Sequence, residues 1–165
     1  NKLGDAMESR RICVRGVIVE GGKIYAQKLK RDDASSSNFW CTPGGGLDPM
    51  ESLHDGLHRE MVEETGVAPQ IGRLLLVQQF APNEVSGHYP KELLEFFFLI
   101  ENASDYQDVN LSATSHGENE VAEHDFIDPT TENLLPSILT TQQFLDSLNN
   151  ASAEVLFHVE DLSQL

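Results

Sequence analysis

The sequence predicts an α/β fold in which a sheet is covered by helices on both faces, and three stretches of its 165 residues carry that reading. The run 92–100, ELLEFFFLI, is almost continuously apolar, the mark of a strand buried on both sides. The run 10–19, RRICVRGVIV, is rich in β-branched residues, and Gly21-Gly22 separates it from 23–29, KIYAQKL, as a hairpin turn does. Segment 49–65 carries the punctuation of a helix. Asp48 suits the N-cap, Pro49 the first helical position and Glu51 the capping-box position, while Gly66 stops the helix.

Taken in order, the two N-terminal strands lead into 30–38, KRDDASSSN, a polar, serine-rich exposed loop. Phe39-Trp40-Cys41 is an apolar approach to Pro43-Gly44-Gly45-Gly46, a glycine run whose backbone can turn sharply and come close to a ligand. After the helix, 73–80 reads as a strand, 81–90 as a loop, and 101–117 as polar and irregular with a short strand near 109–111. A strand at 120–127 precedes a helix at 136–148, where Ile138, Thr141, Gln142, Leu145 and Leu148 recur at helical spacing. The tail, 154–159, alternates apolar side chains and is open to two readings, one more strand or an oligomer contact, so a homodimer is admitted. A chain of this length is expected to form one domain over 1–165. Because it begins with Asn1, residues 1–9 are expected to be a loosely ordered, trimmed or engineered end.

Composition narrows the function. A net charge of −16 repels nucleic acid and anionic membrane, so neither is an expected partner. The longest apolar run, 96–100, is far below the roughly 20 residues of a membrane span. No basic-plus-apolar leader opens the sequence, so Cys13 and Cys41 read as reduced core thiols and the expected address is cytoplasmic. If the substrate is itself a polyanion such as a diphosphate, divalent cations must mediate its approach.

The helix at 49–65 breaks its own pattern. At about 100° per residue, Glu60 and Glu64 fall within about 20° of Leu53, on the stripe that Leu53, Leu57 and Met61 mark as buried. A solvated acidic face would point the other way. Glu60, Glu63 and Glu64, at i, i+3 and i+4, instead bring carboxylates together near the helix end. Hard divalent cations relieve the repulsion, and carboxylate oxygens are ligands that Mg²⁺ and Mn²⁺ favour. Arg59 is a natural partner to orient Glu60.

In 45–67, Gly45, Glu51, Arg59, Glu60, Met61, Glu63, Glu64, Gly66 and Val67 resemble the Nudix box at every specified position. The resemblance implies the α/β/α sandwich of that family, with a mixed sheet between helices. It also implies metal-dependent hydrolysis, with Mg²⁺ or Mn²⁺, of a nucleoside diphosphate linked to another group. Carried over, Glu60, Glu63 and Glu64 become metal ligands, the Gly45 carbonyl a further ligand, and Glu51 a brace behind them; Glu60 or another acid acts as base. Family members often add an acid ahead of a tryptophan-like strand residue. Phe126 takes that slot here, making Glu120 the best match, with Glu118 and Glu123 as rivals. The position of Pro82 resembles that in ADP-ribose pyrophosphatases and favours ADP-ribose or a nucleotide sugar. Pro43-Gly44-Gly45-Gly46 is equally the opening of members acting on nucleoside triphosphates, oxidised ones included. Phe39 and Trp40 are candidates to stack on a base. A ligand-sensing module without turnover is the alternative of another class, which an intact set of acids disfavours.

Overall fold

The computed structural model describes residues 10–80 and 92–160. Eight strands form two sheets: β1 (Arg10–Val17), β2 (Val19–Glu20), β3 (Lys23–Leu29), β4 (Gly44–Gly46), β5 (Ile71–Phe80), β6 (Glu92–Ile100), β7 (Val121–Ile127) and β8 (Leu156–Glu160). The larger sheet runs β4-β1-β6-β5-β8 and the smaller β2-β3-β7. The larger one is mixed, with β1 parallel to β6, β5 antiparallel to β6 and β8 parallel to β5. The helices are α1 (Leu53–Thr65), a single turn α2 (Gly117–Glu120), and α3 (Gln142–Leu148). None is long and apolar enough to cross a membrane.

Two cores lie against this framework, and β6 feeds both. Phe98 and Ile100 pack with Val14, Ile18, Tyr106 and the α1 residues Leu57 and Met61. Phe97 packs with Val17, Leu75, Leu76, Leu139 and Phe144 of α3. Alternation along a strand sends neighbours to opposite faces, so the continuous apolar run at 92–100 is what a strand serving two cores requires. The sheet is covered by α1 and by α3 with its preceding turn, the α/β arrangement the sequence predicts. Gly16 lets α1 approach, because a Cβ there would run into the Met61 thioether and Ile100.

Several elements differ from their expectation for local reasons. The run 10–19 is two strands, because the chain changes sheets at the fully buried Ile18, whose carbonyl accepts from the Tyr25 N–H at 2.9 Å. The first long helix starts at Leu53, not 49: Ser52 is its N-cap, accepting from the Asp55 N–H at 3.0 Å. Asp48 is not the cap, since Met50, at φ 67°, turns the chain out of helix ahead of Ser52. At the other end Gly66, at φ 75°, closes the helix as expected. The strand expected near 109–111 is a 3₁₀ turn at Leu111–Ala113, begun by the Asn110 side chain accepting from the Ser112 N–H. The helix expected over 136–148 divides into a 3₁₀ turn, Ser137–Thr140, and α3, because Thr141 is extended and caps α3 by accepting from the Phe144 N–H. The tail is a strand: β8 extends the sheet beside β5. Both cysteines are free thiols.

Candidate active site

The site forms where the end of α1 meets the glycine strand β4. β4 pairs antiparallel with β1, setting Val14 opposite Gly45 and Arg15 opposite Gly44. Gly44 sits at φ 143°, a conformation open in practice only to glycine, and a Cβ there would strike the β1 backbone. A Cβ on Gly45 would strike the Glu60 carboxyl group. The glycines therefore bring bare backbone against both the strand and the helix acids.

Glu64 is buried, 6% exposed, within the stripe of Leu57 and Met61. Its carboxylate accepts the Gly44 N–H at 3.1 Å. Burial pushes its pKa up to about 8; Arg15 and the Gly44 N–H pull the other way, while Glu60 and Glu120 add to the rise. Burial raises the Glu60 pKa as well, against the opposing pull of Arg59.

Arg59 ties the cluster together. Its Nε and Nη2 each donate to a Glu51 carboxylate oxygen at 2.8 Å, Nη1 donates to Glu60 at 3.0 Å and to Glu63 at 3.3 Å, and Nη2 reaches the Gly46 carbonyl at 3.1 Å. This fork holds the Glu51 carboxyl down at about 2, helped by the Asp48 N–H. Glu51 thus stands behind Arg59.

Helical turn α2 brings in the distant acid. Its Gly117 packs so tightly on the end of α1 that a Cβ would meet the Glu64 carbonyl, and the His116 N–H donates to the Glu63 carbonyl at 3.0 Å. Docked there, Glu120 comes within electrostatic reach of Glu64. Of its rivals, Glu123 pairs with Lys28 and accepts from Ser36, while Glu118 is contacted through its backbone, its carbonyl accepting from Lys30 Nζ. His116 adds a second link to α1, with Nδ1 3.1 Å from the Glu63 carboxylate.

Of the base-stacking candidates, Phe39 and Trp40 are half-buried. Trp40 packs against the α3-side core, and Lys28 Nζ lies 4.9 Å from its ring centroid. Pro82 lies outside the described residues. Arg15 and Glu95 pair at 3.0 Å beneath Gly44, across 80 positions of sequence, a contact that no spacing within either strand signals.

The model of the NUDIX domain matches residues 9–146, so the chain belongs to the NUDIX family. It is 30% identical over 115 residues to an RNA pyrophosphohydrolase of Haemophilus influenzae (strain PittEE), covering 62% of this chain and 56% of that protein. To an ADP-ribose pyrophosphatase of Methanocaldococcus jannaschii it is 30% identical over 77 residues, 47% of this chain and 44% of the relative. The chain spans about half the length of the curated relatives it matches. Among solved structures it resembles the E. coli ORF135 protein with a TM-score of 0.62 at 20% identity, covering 87% of this chain and 94% of the other; this likeness concerns the fold.

Nudix hydrolases generally use divalent metal ions, and the donor set fits one. Carboxylates and a glycine carbonyl are hard oxygen ligands. Among the described residues no three acidic, histidine or cysteine side chains form a ready metal cage, since Arg59 draws on Glu60 and Glu63.

Proposed function

We propose that the protein is a divalent-metal-dependent pyrophosphohydrolase that cleaves the diphosphate of a nucleoside diphosphate joined to another group, with ADP-ribose or a nucleotide sugar as the favoured substrate. The observations that carry this reading are the Glu60 carboxyl group set against Gly45 and tied through Arg59 to Glu63, Glu64 buried on the Gly44 N–H, and Glu120 within electrostatic reach of Glu64. Gly45, Glu60, Glu63, Glu64 and Glu120 are the proposed ligands of Mg²⁺ or Mn²⁺. When bound, the cation polarises the phosphate oxygens and makes bound water more acidic. Arg59 keeps Glu60 and Glu63 in place, and Glu51 keeps Arg59 in place. An acid of the cluster, Glu60 or Glu64, takes the proton from the attacking water.

A chain of charge −16 also needs fixed positive charge to receive a diphosphate. Arg11 suits that role: its guanidinium fills the space a Cβ on Gly46 would take, and no carboxylate among the described residues pairs with it. Trp40 and Phe39 remain the proposed base-stacking residues, and Pro82 a marker of the ADP-ribose class. The name of the M. jannaschii relative supports that class. The name of the H. influenzae relative supports a second reading, removal of pyrophosphate from a triphosphate end. The acidic surface favours a free nucleotide over RNA for that end.

The deciding experiment incubates the protein with ADP-ribose, nucleotide sugars, oxidised nucleoside triphosphates and 5′-triphosphorylated RNA, each with Mg²⁺ or Mn²⁺. Release of nucleoside monophosphate from ADP-ribose, lost in Glu63→Gln, is expected. No product from any of them, with wild type and Glu63→Gln alike, excludes the enzyme and leaves a ligand-sensing module.

A further inference from the structure

Beneath β4 lies a charged chain that the Nudix box does not contain. Gln78 Nε2 of β5 donates to Glu95 Oε1 of β6 at 3.1 Å, and Glu95 Oε2 accepts from Arg15 Nε of β1 at 3.0 Å. Arg15 Nη1 donates to the Thr42 carbonyl at 3.2 Å and to the Gly44 carbonyl at 3.3 Å. Gln78 and Glu95 are buried, 1% and 6% exposed. Burying an ion pair costs desolvation on both sides, and an apolar pair of similar volume often serves stability as well or better. Something other than stability is therefore the better account of this one.

The conformation of Gly44 supplies it. At φ 143° Gly44 has no side chain of its own to fix it, and its strand is held to β1 by backbone pairing, with the Gly16 N–H donating to the Pro43 carbonyl at 2.9 Å. The Gly44 carbonyl is held by Arg15, while its N–H holds Glu64 and the next residue abuts Glu60. One peptide unit thus links the guanidinium on one side to two proposed metal-binding acids on the other. The planar fork of arginine can span two carbonyls and a carboxylate at once, which a lysine ammonium cannot do with the same geometry.

We propose that Arg15, anchored through Glu95 to Gln78, is a positioning residue that sets the Gly44–Gly45 backbone and the Glu64 carboxylate for metal binding. This rests on the metal-holding role proposed above. The test is Mn²⁺ binding followed by electron paramagnetic resonance, beside thermal melting, in wild type, Arg15→Lys and the double variant Arg15→Met/Glu95→Leu, which leaves no unpaired buried charge. Both variants are expected to stay folded and to bind Mn²⁺ about tenfold more weakly or worse, the scale seen for partners that orient metal ligands. The double variant is expected to melt within a few degrees of wild type. Wild-type Mn²⁺ affinity in both variants, or a loss that only follows the unfolded fraction, would overturn the proposal and leave the hydrolase reading standing. Absence of Mn²⁺ binding in the wild type overturns both.

Discussion

Helices α1 and α3 cover opposite faces of the mixed sheet, and each fully buries apolar side chains: Leu57 and Met61 on α1, Phe144 on α3. Each also buries polar residues, Ser147 on α3 and both Thr65 and Glu64 on α1, where Thr65 donates to the Met61 carbonyl of its own helix at 2.6 Å. On α3, Ser147 donates to the Phe144 carbonyl of its own helix at 2.6 Å, so its polarity is satisfied locally. On α1, Glu64 receives its hydrogen bond from Gly44 on another strand, and its burial raises its pKa. A buried polar group closed within its own helix adds to a core; one that depends on a distant backbone and stays electrostatically unsatisfied marks a site.

Substitutions on the two helices can break this contrast. Glu64→Gln is expected to lower hydrolysis by roughly 100-fold or more, the scale of losing a group that moves protons or orients the reaction, without loss of metal-free thermal stability. The same acid predicts a pH effect in the metal-free protein. Its folded pKa, about 8, lies above the ordinary 4.5, so the folded state keeps a proton that the unfolded chain releases between those values. Its contribution to stability is full below about 4.5 and falls as pH rises toward about 8. Melting curves across that range should show the decline in wild type and a flatter profile in Glu64→Gln; a steep fall in both would assign the effect elsewhere.

On the other face, Phe144→Ala should destabilise the fold by about 3–5 kcal/mol, measured by urea unfolding, with Mn²⁺ affinity of the folded protein unchanged. A matching loss of metal affinity would mean that the two faces are coupled and the contrast is false. Smaller in effect, Arg11→Ala should raise KM about tenfold, the order of one charge-assisted hydrogen bond, with kcat changed much less. An unchanged KM removes Arg11 from substrate binding. The smallest effect concerns the start of α1: Ser52→Ala should cost about 1 kcal/mol, as loss of an N-cap does, and Asp48→Ala less. The reverse order would restore Asp48 as the cap.

Much of the site was legible because its signal is local. Glu60, Glu63 and Glu64 lie within one helical turn, and helical geometry alone puts two of them on the stripe of Leu57 and Met61. The strand 92–100 and the glycine stop at Gly66 were legible for the same reason, since each depends on neighbours in sequence. Local rules misled where two signals competed over a few residues. Asp48 and Ser52 are both sound caps, and a positive φ at Met50 decides between them. Thr141 fits helical spacing, yet its hydroxyl serves better as the cap that divides 136–148.

The sequence by itself determined the sheet covered by helices, through periodicity, and singled out Glu60, Glu63 and Glu64 through residue spacing, while Glu120 was only implied by the Nudix resemblance. Only the tertiary structure decided which acids share an environment. Glu120 lies within electrostatic reach of Glu64 because α2 docks on the end of α1 through Gly117, where a Cβ would meet the Glu64 carbonyl. Arg15 reaches Gly44 because β1 lies between β4 and β6, bringing residues 27 to 80 positions apart into one hydrogen-bonded group. Contacts of that range depend on strand order and register, which no local periodicity encodes.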